Sequence, residues 1–208
     1  IGQALGKNVT AIITQMNQPL GMAVGNALEV REVIELLKGS GPADAREVTL
    51  QLCTEMLVLA KIETDRDAAY RRLVKLLDGG AALDKFREWI EAQGGDPRVA
   101  DKPGQLKVSE QTDKIVANKA GYIQSIITRD IGVAANMLGA GRLSVDDEVD
   151  LSVGLLIHKK PGDKVEKAEP LVSIYHHGKN LDEAKRMIES AYTINEKDVE
   201  PLKLILDR

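Results

Sequence analysis

The pattern of apolar and polar positions changes character about halfway along the chain. Near the start, Val9–Met16 (VTAIITQM) is apolar and β-branched over a strand-sized length, which predicts a core strand buried on both faces. Pro19, Gly21 and Gly25 then interrupt regular structure in NQPLGMAVG. Beyond them Ala27, Val30, Val33, Ile34 and Leu37 recur at helical spacing, so strand, irregular loop, helix is the expected order. Asn26 and Glu29 form a capping-box pattern at the helix start, and Gly39 closes its end. Ile1, Ala4 and Leu5 read as a last helical turn ended by Gly6. With no Met at the start, further polypeptide upstream is expected.

Three more helices follow. PADAREVTLQLCTEMLVLAKIE places Val48, Leu52, Met56, Leu59 and Ala60 on one face, with Pro42 suited to the first turn. DRDAAYRRLVKLLDGG carries the stripe Tyr70, Leu73 and Leu77, and AALDKFREWIEAQGG carries Leu83, Phe86 and Ile90; glycine pairs end both. Gly94–Gln105, dense in Gly, Pro and Asp, separates a first domain, residues 1–104, from a second, residues 105–208. The second is β-rich, with strand-like runs around Val108, Ile115 and Ile123–Ile127. A short helix in RDIGVAANMLGAGR comes next, then two strands joined at Pro161-Gly162-Asp163. A helix over Leu181–Ala191 and a last strand over Leu202–Leu206 complete the reading, and no repeated period is present.

Composition narrows the classes. Hydrophobic residues make up 43% and charged residues 29%, the balance of a soluble globular protein. A net charge of -4 without clustered Lys and Arg argues against nucleic acid or a membrane surface as partner. No apolar run reaches spanning length and no signal peptide is visible. Cys53 is the only cysteine, so no internal disulfide can form, and a cytoplasmic location is expected.

Motifs that carry chemistry are few: no phosphate loop, no HExxH, no nucleophile elbow and no catalytic residue is identified. His158, His176 and His177 lack partners at ligand spacing and read as structural or solvated. Cys53, beside Leu52 and Met56, reads as a small core residue. Spacing points to a site only in PLGMAVGNALEVRE, because an irregular glycine turn exposes backbone carbonyls that hard cations bind. Glu29 is occupied by the capping box. Glu32, one turn later, either supplies a carboxylate beside those carbonyls or is a solvated helix residue.

ITQMNQPLGMAVGNALEVREVIELL closely resembles a stretch of the pyrimidine-nucleoside and thymidine phosphorylases, T-D-M-x-Q-P-L-G-x-A-x-G-N-A-L-E-V. IGVAANMLGAGR and DEVDLSVGLLIHKKPGDKVEKAEPLVSIY resemble the same family's C-terminal domain, in the same order. Gln15 stands where that family has Asp, and Ala168 where it has Gly. The resemblance covers essentially the whole chain and identifies it with the family's C-terminal half. It implies an α/β fold: the C-terminal part of a large mixed-sheet α/β lobe with packed helices, then a smaller α+β, barrel-like domain.

The activity implied is phosphorolysis, in which phosphate as co-substrate attacks C1′ of a pyrimidine nucleoside and releases the base and a pentose 1-phosphate. The family's phosphate- and base-binding motifs precede this segment, so the segment alone is expected to be inactive. The family's homodimer contact, on a helical lobe, lies upstream too. What carries over is a cation site for potassium or calcium, with carbonyls matching Leu20 and Ala23 and a carboxylate matching Glu32. Two other readings stand beside this one. GLLIHKKPGDKVEKAEPLVSI also resembles biotinyl and lipoyl carriers, although YHHGKN offers only Lys179 where those carriers have MKM or DKA. A family member given over to binding or regulation would lack the upstream phosphate loop.

Overall fold

The computed structural model describes residues 2–142 and 144–207. Ile1, part of the reading of the first turn, lies outside the described residues; Gln3–Leu5 form a single 3-10 turn closed by Gly6 at φ 68°. By contacts the chain divides into two compact units. The first holds residues up to Gln15, Val33–Lys102 and those from Lys203 onward, and the second holds Met16–Glu32 and Pro103–Leu202. The fold is α/β. No helix among the described residues is long and apolar enough to cross a membrane.

Helix α1 spans Asn26–Leu37, its residues from Val33 on belonging to the first unit, which also holds α2 (Ala43–Leu59), α3 (Arg66–Asp78) and α4 (Ala81–Ala92). Each forms where the apolar period predicts it. Gly39, at φ 88°, ends α1 and donates its N–H to the Leu36 carbonyl at 2.9 Å. Asp65 caps α3 by accepting the Ala68 N–H at 2.6 Å. The interior gathers Leu36, Leu50 and Leu77, with Tyr70, Leu73 and Val74 around them.

Two expectations in this unit are corrected. Val48 is buried, but Leu52 and Met56 are 45% and 65% exposed, and Leu50, Thr54 and Glu55 face inward instead. Helix α2 is apolar on more than one side, so the period alone does not choose its buried stripe. Polar partners allow the choice made: Thr54 Oγ1 donates to the Leu50 carbonyl at 2.8 Å, and Arg66 pairs with Glu55. Likewise, only Ile13–Thr14 of the expected core strand forms β1, paired with β9 (Ile205–Asp207) alone, and Ile13 is 55% exposed. A two-residue strand with one partner cannot cover both of its faces.

In the second unit the strands are β2 (Ala23–Val24), β3 (Thr112–Val116), β4 (Gly121–Ile126), β5 (Gly154–Ile157), β6 (Lys164–Val165), β7 (Pro170–Tyr175) and β8 (Tyr192–Asn195). They form two sheets, ordered β2-β5-β7-β3 and β6-β4-β8, with antiparallel pairing throughout. No barrel is closed by these strands. Helices α5 (Thr128–Leu138) and α6 (Leu181–Ala191) add Ile131, Leu138 and Ile188 to a core of Ile115, Ile123, Leu155, Ile157, Val172 and Ile174. Val108 lies outside any strand.

The strands around Pro161-Gly162-Asp163 do not form a simple hairpin there. β5 pairs with β7, while the residues between them carry β6 to β4. The turn itself is tied to β4, since Gly162 donates to the Ile123 carbonyl and Ile123 to the Asp163 carbonyl, each at 2.9 Å. A second turn has Ala168 at φ 67°, its N–H donating to the Ala117 carbonyl at 2.8 Å. An L residue with a Cβ is strained in that left-handed region, whereas glycine is not. Ala168→Gly is therefore expected to stabilise the fold by about 0.5–1 kcal/mol, the relief of strain outweighing the added freedom of the unfolded chain. A urea unfolding midpoint that stays put or falls would contradict this.

Candidate cation-binding turn

Residues 17–25 turn tightly from the exposed Met16 into β2, around buried Pro19 and Gly21 at φ 70°. The turn is held by a carboxylate. Glu32 Oε2 accepts the N–H groups of Met22 at 2.8 Å and Ala23 at 3.0 Å. Glu29, three residues earlier on the same side of α1, accepts the Gly25 N–H through Oε1 at 2.8 Å. Charge-assisted hydrogen bonds of this kind order a loop whose donors would otherwise need water.

The expected capping box is thereby revised. Glu29 reaches back to Gly25 rather than to Asn26, and the Asn26 side chain donates instead to the Ala140 carbonyl at 2.9 Å. Glu32 is not a solvated helix residue, because the turn's own amides engage it.

Strand alternation decides where Ala23 points. β2 is the edge of its sheet, with Ala23 opposite Leu156 and Val24 opposite Leu155. Ile157 donates to the Met22 carbonyl at 2.7 Å, so that carbonyl and the polar backbone groups of Val24 face β5, while the Met22 N–H, at the entry to the strand, goes to Glu32. Ala23 then turns its N–H and carbonyl away from β5, and its N–H meets Glu32. The structure thus puts the Ala23 backbone and the Glu32 carboxylate on one side of the strand. Leu20 belongs to the same turn, immediately before Gly21, with its side chain half exposed.

A carboxylate beside backbone oxygens is the ligand type that hard cations take; here Glu32 Oε2 accepts the Met22 and Ala23 N–H groups. Among the described residues no group of three or more His, Cys, Asp or Glu is gathered to hold a metal, so a centre built from side chains is not offered elsewhere. Arg31, beside Glu32 on α1, donates to the Leu106 carbonyl, and its buried Nε has no partner. Sequence spacing gave no sign of that tie.

The other candidates take structural positions. His158 Nε2 lies 2.8 Å from Ser173 Oγ, and burial, followed by Lys114 and Lys159, pushes its pKa down. His176 is buried with Nε2 3.3 Å from Asp113, and its Nδ1 accepts the Gly178 N–H at 3.1 Å. His177 Nε2 is 3.0 Å from Ser152 Oγ and 3.6 Å from Asp150. These carboxylates are remote in sequence, which is why spacing missed them. Burial raises the Cys53 pKa, which keeps it a thiol. Lys179 lies on the connection from β7 to α6 rather than at a hairpin tip.

Residues 122–195 match the family model described as "Pyrimidine nucleoside phosphorylase C-terminal domain". Over 201 residues the chain is 44% identical to proteins named pyrimidine-nucleoside phosphorylase from Staphylococcus aureus, among them those of strains bovine RF122 / ET3-1, USA300 and NCTC 8325 / PS 47. The match takes in 97% of this chain and 46% of each relative, so the chain spans about half their length. The turn makes a prediction of its own. A Cβ on Gly21 would sit 2.1 Å from Glu32 Oε1, and its backbone is left-handed. Gly21→Ala is expected to destabilise the chain by about 2 kcal/mol or more in urea unfolding, and an unchanged midpoint would refute the carboxylate-held turn.

Proposed function

We propose that this chain, which belongs to the pyrimidine-nucleoside phosphorylase family and matches its C-terminal part, supports rather than performs the transfer of a pentosyl group from a pyrimidine nucleoside to phosphate. The observation that carries this reading is the 44% identity over 97% of the chain, and the cation assignment is supported by a turn in which Glu32 accepts the Met22 and Ala23 N–H groups. Phosphorolysis needs donors for phosphate and for the departing base, where negative charge develops in the transition state. No phosphate loop or base-binding motif stands in this sequence, so those groups act from the half of the enzyme that this chain does not match.

In that division of labour the turn holds a potassium or calcium ion through the carbonyls of Leu20 and Ala23 and the carboxylate of Glu32. Such a cation needs about six to eight oxygens, so the other half of the enzyme completes the shell. Bound there, the ion supplies a fixed positive charge that braces the phosphate-binding loop. Glu32 sets the position of Ala23 by holding its N–H, and its charge favours the cation. The complete enzyme is a cytoplasmic homodimer whose contact lies on the helical lobe.

Two outcomes follow. In the complete enzyme, Glu32→Gln keeps an acceptor for the turn but removes the charge. It is expected to raise the potassium concentration for half-maximal activity by about tenfold or more and to raise KM for phosphate with a smaller effect on kcat. Kinetics indifferent to potassium in both proteins would reject the cation. Separately, the purified 208-residue chain is expected to show no phosphorolysis of thymidine or uridine in an absorbance assay, and turnover by it would place working groups within this sequence.

A further inference from the structure

The position of the cation turn depends on a contact between two backbones. A Cβ on Gly25 would lie 2.5 Å from the Val153 carbonyl oxygen and 2.8 Å from the Gly154 α-carbon. From the other side, a Cβ on Gly154 would lie 2.3 Å from the Val24 carbonyl oxygen and 3.1 Å from the Gly25 α-carbon. These neighbours are main-chain atoms, which cannot rotate aside as a side chain can. Gly25 is also at φ 125°, so its need for glycine is partly conformational. Gly154 is not among the residues with positive φ; its requirement is space alone.

The contact lies where it can set the site. Val24 and Ala23 are the whole of β2, which pairs with β5 through Ala23↔Leu156 and Val24↔Leu155. Met22 is bonded to Ile157, and Ala27 at the start of α1 donates to the Leu151 carbonyl at 3.0 Å. Residues 151–157 therefore grip both ends of the turn's exit. Between the two grips, the Gly25–Gly154 contact fixes how near β2 comes to β5. We infer that Gly154 is a positioning residue for the cation turn: by leaving room for Val24 and Gly25 it sets where the Ala23 carbonyl stands and whether the Ala23 N–H reaches Glu32. This rests on the cation reading for its functional consequence, but the positioning itself does not.

The test has two arms. In the 208-residue chain, Gly154→Ala is compared with the parent by amide hydrogen exchange, with Gly132→Ala as control because a Cβ there meets nothing within 4 Å. Met22 and Ala23 are expected to exchange at least about tenfold faster in Gly154→Ala, while core amides of α6 keep their protection and the control behaves as the parent. Unchanged exchange at Met22 and Ala23 overturns the proposal. Should Gly154→Ala not fold, the parent decides. If β5 positions the turn, Ala23 and Ile157 lose protection together as denaturant is raised, and independent opening of Ala23 refutes the idea. The second arm follows the thermal midpoint of the complete enzyme against potassium, where Gly154→Ala is expected to need at least about tenfold more potassium for the same stabilisation. No potassium response in the parent enzyme, with faster exchange in the variant, removes the cation and leaves the positioning role standing.

Discussion

One carboxylate accepting two adjacent backbone N–H groups is the constraint on which the candidate site depends. Without Glu32, Met22 and Ala23 would present their donors to solvent from the edge of a sheet, and the turn that includes Leu20 would lose the carboxylate that ties it to α1. With it, strand β2 is tied to the first two turns of α1, where Glu29 adds a bond to Gly25. Acidic residues near a helix N-terminus are favoured by the local dipole. Glu29, in the first turn of α1, meets that preference and also organises the loop that leads into the helix.

The grouping of this turn with the C-terminal unit gives that unit a role beyond its own core. Met16–Glu32 packs with Pro103–Leu202, and the strand β5 that receives β2 lies inside the segment matching the family's C-terminal domain. A domain that carries no recognisable catalytic motif is thus the scaffold for the turn. A surface loop takes a fixed geometry from the scaffold beneath it, and here the isoleucine- and valine-rich interior around Leu155, Val172 and Ile174 is that scaffold.

How much of this could be read from sequence follows from how local each feature is. The helices of the first unit and α5 and α6 were legible, because their apolar period and glycine stops are local. Strand partners were less so: β5 and β7 were found, but their pairing around a diverted β6 depends on contacts that no short window contains. The exposed faces of β1 and α2 show the complementary limit, since an apolar pattern states what a segment can bury and not what covers it.

At the site, the turn and Glu32 were identified from the glycines, the helix period and the family resemblance. The amide partners of Glu32, the Arg31 tie to Leu106 and the pairing of buried His176 with Asp113 needed coordinates. A crystal structure of the complete enzyme grown with thallium(I) in place of potassium decides whether Ala23 and Glu32 face a cation. If they do, an anomalous peak stands at coordinating distance from the Leu20 and Ala23 carbonyls and the Glu32 carboxylate. No peak there, with thallium bound elsewhere in the same crystal, would show that they do not.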